Sequence, residues 1–319
     1  MRRLDDRYFR VTKARDTGHL DVGDGHRIYW EEAGNPDGVP LILIHGGPGG
    51  SSSKVFRVFI DPDRFRIIQF DQRGCGRSEP LGELASNSLQ HTLTDMENLR
   101  YHLGVKKWVV AGGSWGSTVA LAYGETYPNN CLGLLLVSMW LCRKKDIEWW
   151  YQGVRKIFPE LWDQFASLVP KIERDDLRKA YSTRILYGED KLLAKQLAKQ
   201  LYFYEEGFMR FEVPLAPPLE DNAISYGRIF SHYANNSFFL LHDQLLKQAY
   251  RVKDLPAVVV TGRYDMCTTP DNAYDLCSGL DNAELVIVPA AGHNPMEVAM
   301  SRACLEAIER LVQKIGSGQ

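Results

Sequence analysis

The chain has 319 residues, of which 45% are hydrophobic and 24% charged, the make-up of an ordinary folded protein, so disorder is excluded as its main state. Thirty-eight Lys and Arg stand against 40 Asp and Glu, a net charge of −2, and a balance so near neutral argues against a nucleic-acid-binding chain. No apolar run is long enough to span a bilayer, and the charged start MRRLDDRYFRVTKARD lacks a signal peptide's apolar centre, so a cytoplasmic protein without a membrane partner is expected.

In chain order, His26 to Glu32 reads as a strand, followed by the turn Gly34-Asn35-Pro36-Asp37-Gly38. Leu41 to Ile44 is a short continuous apolar run, the mark of a strand covered on both faces, and Phe65 to Phe70 is the next strand. Leu93 to Leu103 has helical spacing and stops at Gly104. A strand over Lys107 to Ala111 leads to a helix over Ser117 to Tyr127, stopped before Pro128. Leu132 to Val137, Ala257 to Thr261 and Leu285 to Val288 are further buried runs, the last two each followed by a helical segment. Strands alternating with helices predict an α/β fold: a mostly parallel sheet with helices on both faces.

The middle is different. From about Trp140 to Tyr250 there is no convincing buried strand, and aromatic residues and helical periodicity dominate. Leu192, Leu193, Leu197 and Leu201 are expected on one helix face, and charge-rich Lys171 to Lys179 on a solvated one. The predicted organisation is therefore a core of residues 1–139 and 251–319, with a helical cap of residues 140–250 inserted over the strand ends.

Gly112-Gly113-Ser114-Trp115-Gly116 fits G-x-S-x-G between a strand and a helix, where glycines permit the tight turn that lifts a nucleophilic serine out of the sheet. A serine hydroxyl needs a base within reach, and the base needs an orienting acid. Asp265 and His293 lie in loops after late strands, in the chain order Ser, Asp, His, and are assigned as orienter and base. Asp271 and Asp275 compete for the acid's place but read better as capping or surface charge. His45-Gly46-Gly47-Pro48-Gly49-Gly50 follows a buried strand, and its amides together with that of Trp115 would form an oxyanion hole. Gly47 is the preferred second donor because Pro48 has no N–H, with Gly46 as the fallback. Asp71-Gln72-Arg73-Gly74-Cys75-Gly76-Arg77-Ser78 reads as a structural loop packed beside it. The six cysteines contain no C-x-x-C pair and are expected to be free thiols, most of them buried; Cys267, two residues beyond Asp265, should border the site.

HGGPGG, DQRGCGRS, GGSWGS and GRYDM together closely resemble the proline iminopeptidase (prolyl aminopeptidase) family of α/β-hydrolases, and LCRKKDIEWWYQG and RIFSHY carry the likeness through the middle, over roughly residues 20 to 310. The resemblance implies a serine hydrolase that releases an N-terminal residue, usually proline, from small peptides or amides, with no metal or organic cofactor. It places the triad on Ser114, Asp265 and His293 and the oxyanion donors on Trp115 and the glycines of His45 to Gly50. It also implies two cap glutamates that hold the substrate amine. Glu206, in Glu205-Glu206-Gly207, matches one; Phe230, in Arg228-Ile229-Phe230-Ser231-His232-Tyr233, stands where the other is usual. The aromatic residues of the family's proline pocket match Trp140 and Trp150.

Phe230 predicts weaker compensation of a buried ammonium and a site more favourable to a neutral or bulkier acyl group, unless Glu205 or Glu212 fills the gap. The alternative function is thus an esterase, amidase or biosynthetic hydrolase of the same family with altered specificity.

Overall fold

The computed structural model describes Phe9, residues 11–209 and residues 220–317. Eight strands form one sheet: β1 (Asp16–Gly23), β2 (His26–Gly34), β3 (Val39–Ile44), β4 (Phe65–Phe70), β5 (Trp108–Gly113), β6 (Cys131–Val137), β7 (Ala257–Gly262) and β8 (Ala283–Val288). Their spatial order is β1-β2-β4-β3-β5-β6-β7-β8. The first two pairings, β1 with β2 and β2 with β4, are antiparallel; every later pairing is parallel. The runs that read as buried strands are the central ones. Pairs such as Ile42 with Val110, Val110 with Leu134 and Leu136 with Val259 lie in register through the middle of the sheet. β1 has no counterpart in the sequence reading: as an edge strand with alternating exposed residues, DTGHLDVG carries no buried apolar run to announce it.

The helices are α1 (Leu89–His102), α2 (Trp115–Thr126), α3 (Lys144–Tyr151), α4 (Pro159–Ser167), α5 (Leu177–Tyr187), α6 (Lys191–Phe208), α7 (Glu220–Asn235), α8 (Gln244–Gln248), α9 (Asp271–Cys277) and α10 (Val298–Ser317). The start of α1 lies four residues earlier than its apolar spacing suggests, because Ser88 accepts from the His91 N–H and caps it. α3 to α8 all fall between β6 and β7.

Two apolar cores flank the sheet. One packs α10 and the 3₁₀ turn Lys54–Phe59 against Leu41, Ala111, Leu135 and Val258. The other is continuous from the opposite sheet face through Trp115 and Val119 into the inserted helices, where Trp150, Phe165, Tyr181, Tyr204 and Phe230 are buried together. On α6, Leu197 and Leu201 are buried as expected, but Leu192 is 71% exposed. Five of the six free cysteines are buried and Cys277 is half-buried. Among the described residues no helix is long and apolar enough to cross a membrane.

Candidate active site

The turn between β5 and α2 holds Ser114 at φ 56°, ψ −128°, a region that side chains other than hydrogen rarely occupy. The glycines around it are sterically required. A Cβ at Gly112 would lie 2.1 Å from the Gly116 carbonyl oxygen, and one at Gly116 would lie 2.4 Å from that of Ile44. The start of α2 is thereby pressed against the end of β3, and so against the His45 loop. The Trp115 N–H lies in the first turn of α2, where no helical carbonyl reaches it.

Asp265 and His293 stand in the loops after β7 and β8, both almost fully buried. His293 Nδ1 lies 3.0 and 2.9 Å from the two Asp265 oxygens. A carboxylate at neutral pH only accepts, so Nδ1 carries the proton and Nε2 presents a lone pair. Asp265 is held in turn by the N–H groups of Cys267 (3.0 Å) and Thr268 (2.8 Å) and by the Thr268 hydroxyl (3.0 Å). Burial works to lower the His293 pKa, but the charge and hydrogen bond of Asp265 outweigh it, with Glu205 and Glu206 adding to the effect, and the net shift is upward. Ser114 and His293 share the wall of one cavity; among the described residues no hydrogen bond joins the two side chains directly. Asp271 and Asp275 are elsewhere, engaging Arg143 and Lys145 at the start of the inserted helices.

Beside Ser114 the loop of Gly46 to Gly50 curls over the site. An ideal Cβ on Gly46 would stand 3.4 Å from the Ser114 Cβ, and Gly47 has φ +126° with no room for a side chain beside the Gly49 and Gly50 nitrogens. The loop of Asp71 to Ser78, read from the sequence as structural and packed beside this one, holds it through Gln72. The Gln72 backbone N–H donates to His45 Nε2 (3.0 Å), so His45 Nδ1 carries the proton and donates to the Gly46 carbonyl (2.8 Å). The Gln72 side chain donates to the His45 carbonyl (3.1 Å) and accepts from the Trp115 indole N–H (2.9 Å). Burial lowers the His45 pKa against the pull of Asp71 and keeps the ring neutral. Asp71 accepts from the Ser52 and Arg77 N–H groups, and Gly76 is glycine because a Cβ there would lie 2.5 Å from an Asp71 oxygen.

The inserted helices supply the facing wall. Glu205 and Glu206, at the C-terminal end of α6, line a second cavity with Ser114, the glycine loop and Tyr226 of α7. Glu205 is buried, accepts a short hydrogen bond from the Tyr226 hydroxyl, and lies 3.8 Å from the Cys267 sulfur. Burial pushes its pKa up to about 7, against the lowering influence of Tyr226 and His293. The same burial raises the Cys267 thiol well above its ordinary value, which leaves it unreactive. Phe230, Trp140 and Trp150 line neither cavity at Ser114. They belong to an aromatic cluster in which Phe230 stacks on Trp150 (5.0 Å between ring centres) and Trp140 meets Phe238 edge-on (4.7 Å). Glu212 lies outside the described residues. A signal for Glu205 exists in the sequence: Leu197, Leu201 and Glu205 recur every four residues, which sets a carboxylate on the buried face of α6.

Comparison with known proteins identifies the fold and the family. The family described as the alpha/beta hydrolase fold matches residues 39–299. A proline iminopeptidase of Xylella fastidiosa (strain Temecula1 / ATCC 700964) is 40% identical over 289 residues, 88% of this chain and 92% of its own length. One from Neisseria gonorrhoeae is 38% identical over 302 residues, 94% of this chain and 97% of its own. Among solved structures, proline iminopeptidase from Mycobacterium smegmatis matches with a TM-score of 0.61 at 18% identity, covering 95% of this chain and 100% of that one. A carboxylesterase study of Nitrososphaera gargenis provides another, with a TM-score of 0.62 at 15% identity and coverage of 95% and 100%. At such identities these two structures speak for the fold alone, and the sequence relatives give the family. The chain belongs to the proline iminopeptidase family, a family of α/β-hydrolase aminopeptidases.

Proposed function

We propose that this protein releases an N-terminal residue, proline or one of similar shape, from small peptides and amides, with Ser114, His293 and Asp265 as its catalytic triad and residues 140–250 as the cap over them. His293 Nε2 takes the Ser114 hydroxyl proton as Oγ attacks the acyl carbonyl, and Asp265 stabilises the imidazolium that results. The oxyanion is held by the N–H groups of Trp115 and Gly47, with Gly46 adjoining. His293 then gives its proton to the leaving nitrogen. Water, deprotonated by the same Nε2, opens the acyl-enzyme and regenerates Ser114.

The observation that carries the reading is the pair Glu205 and Glu206 on the wall of the cavity that contains Ser114. A substrate ammonium entering that space finds two carboxylates, so Glu205 supplies what a glutamate at position 230 would otherwise give. Ion pairing with the substrate stabilises the ionised form of Glu205, which in the free protein is disfavoured by burial. The test compares kcat/KM for proline anilide with its N-acetylated analogue and the corresponding ester. A preference for the free amine of tenfold or more is expected, and equal cleavage of the blocked compound overturns the reading.

A further inference from the structure

Two cavities of opposite chemistry meet at Ser114. Gly46, Phe56, Ser114 and Met209 line both. The first is the acidic space already described, walled by Glu205, Glu206 and Tyr226. The second runs the other way, beneath the carboxyl ends of the strands, between Leu135 and Val137 of β6, Phe59 of the 3₁₀ turn and Ile308 of α10. Its depth is mainly apolar, since these four side chains belong to the core on that sheet face. Gln69 of β4 also lines it, but its amide is already engaged by Arg57 and the Ser53 carbonyl, and the remaining polar groups, Ser114 and His293 among them, come from the loops and turns at the strand ends.

His293 lines the apolar cavity and not the acidic one. In acyl transfer the leaving nitrogen must stand beside the group that protonates it, while the acyl half stays with the oxyanion donors and whatever holds its amine. The glycine loop and the two carboxylates share the acidic cavity, so the acyl half belongs there. The leaving half then projects past His293 into the apolar space. We propose that this second cavity is the subsite for the residue that follows the scissile bond, and that it selects a substrate whose second residue is apolar, such as Leu or Phe. The inference rests on the reading of Ser114 and the two carboxylates given above. Among the described residues no Asp, Glu, Lys or Arg lines this space, and the buried Arg57 behind Gln69 is already paired with Glu31, so a charged side chain would enter uncompensated and be rejected.

The test is a series of dipeptide amides with N-terminal proline and Gly, Leu, Phe or Asp in second place. With full-length protein, kcat/KM for the Leu and Phe members should exceed that for Gly by about ten- to a hundredfold, the worth of burying such a side chain, with Asp lowest. Ile308→Trp fills the cavity and should bring the Leu-to-Gly ratio close to one. If that variant does not fold, Ile308→Ala enlarges the space and should move the optimum from Leu to Phe. A flat series in the wild type, or ratios unmoved in a folded variant, overturns the proposal. So does a rise from p-nitrophenyl acetate to octanoate that Ile308→Trp abolishes while the peptide series stays flat, because the cavity would then hold an acyl chain. Failure of the functional reading looks different: no proline dipeptide, Gly included, would be cleaved while blocked or ester substrates were.

Discussion

The loops beneath Ser114 and the helices above it are built on different terms. In the loops nearly every polar atom has a directed partner: both nitrogens of His45, both ends of the Gln72 amide and both oxygens of Asp265 are engaged. In the inserted helices, Tyr151 Oη, Ser182 Oγ and Ser231 Oγ are buried without a hydrogen-bond partner among the described residues, and ring packing dominates instead. Hydrogen-bonded groups hold atoms to within tenths of an ångström, whereas apolar packing tolerates exchange of one shape for another. The contrast implies that the chemistry resides in the rigid loops and that specificity resides in the replaceable wall.

If so, damage to the loops should fall on kcat. Ser114→Ala should lower turnover by about 10⁶-fold with the fold intact, the loss expected when one member of a triad acting as a unit is removed. Near-normal turnover of the purified variant would break the comparison at its root. Asp265→Asn should cost roughly 10⁴-fold. Its amide would have to accept from both the Cys267 and Thr268 N–H groups through its one oxygen, leaving an NH₂ facing His293 and the wrong tautomer on the ring. Gln72→Leu severs the Trp115 indole from the His45 loop without touching substrate, and should lower kcat about ten- to a hundredfold with KM little changed.

Damage to the wall should fall on KM and on pH dependence. Glu205→Gln should raise KM for a free-amine substrate about tenfold while leaving an N-acetylated one unaffected. In the wild type, kcat/KM should climb as pH rises through about 7, where Glu205 loses its proton, and through the titration of His293, which lies above its ordinary value. In Glu205→Gln the climb reports His293 alone and moves to lower pH, because a negative charge that supports the imidazolium is gone. Stability has the opposite slope. The unfolded chain releases the Glu205 proton near the ordinary 4.5 and the folded one near 7, so the folded state binds more protons in between and loses stability as pH rises across that window. Urea titrations at pH 5 and pH 8 should show that difference shrink in the Gln variant.

The sheet and the loops are largely legible in the sequence. Parallel strands buried on both faces advertise themselves as apolar runs, and Ser114, Asp265 and His293 each follow such a run. β1 was not legible, since an edge hairpin needs no buried residues. The wall was legible only in part. Position 206 carries a recognisable motif, but the burial of Glu205 follows from which face of α6 meets α7, a tertiary fact that the repeat of Leu197, Leu201 and Glu205 only hints at. Tyr226, which donates to Glu205, gave no signal at all. Leu192 misled in the opposite direction, its apolar side chain standing in solvent at the first turn of α6.

The backbone of Ser114 has a consequence for durability. A residue with a side chain held at φ 56°, ψ −128° costs on the order of 1–3 kcal/mol, and glycine would occupy the same place with little strain. Ser114→Gly, which has no hydroxyl, is therefore expected to melt at a higher temperature than the active protein, and Ser114→Ala, which keeps the strained backbone, is not. Differential scanning calorimetry of the three proteins would measure the heat resistance given up to keep a nucleophile raised above the sheet.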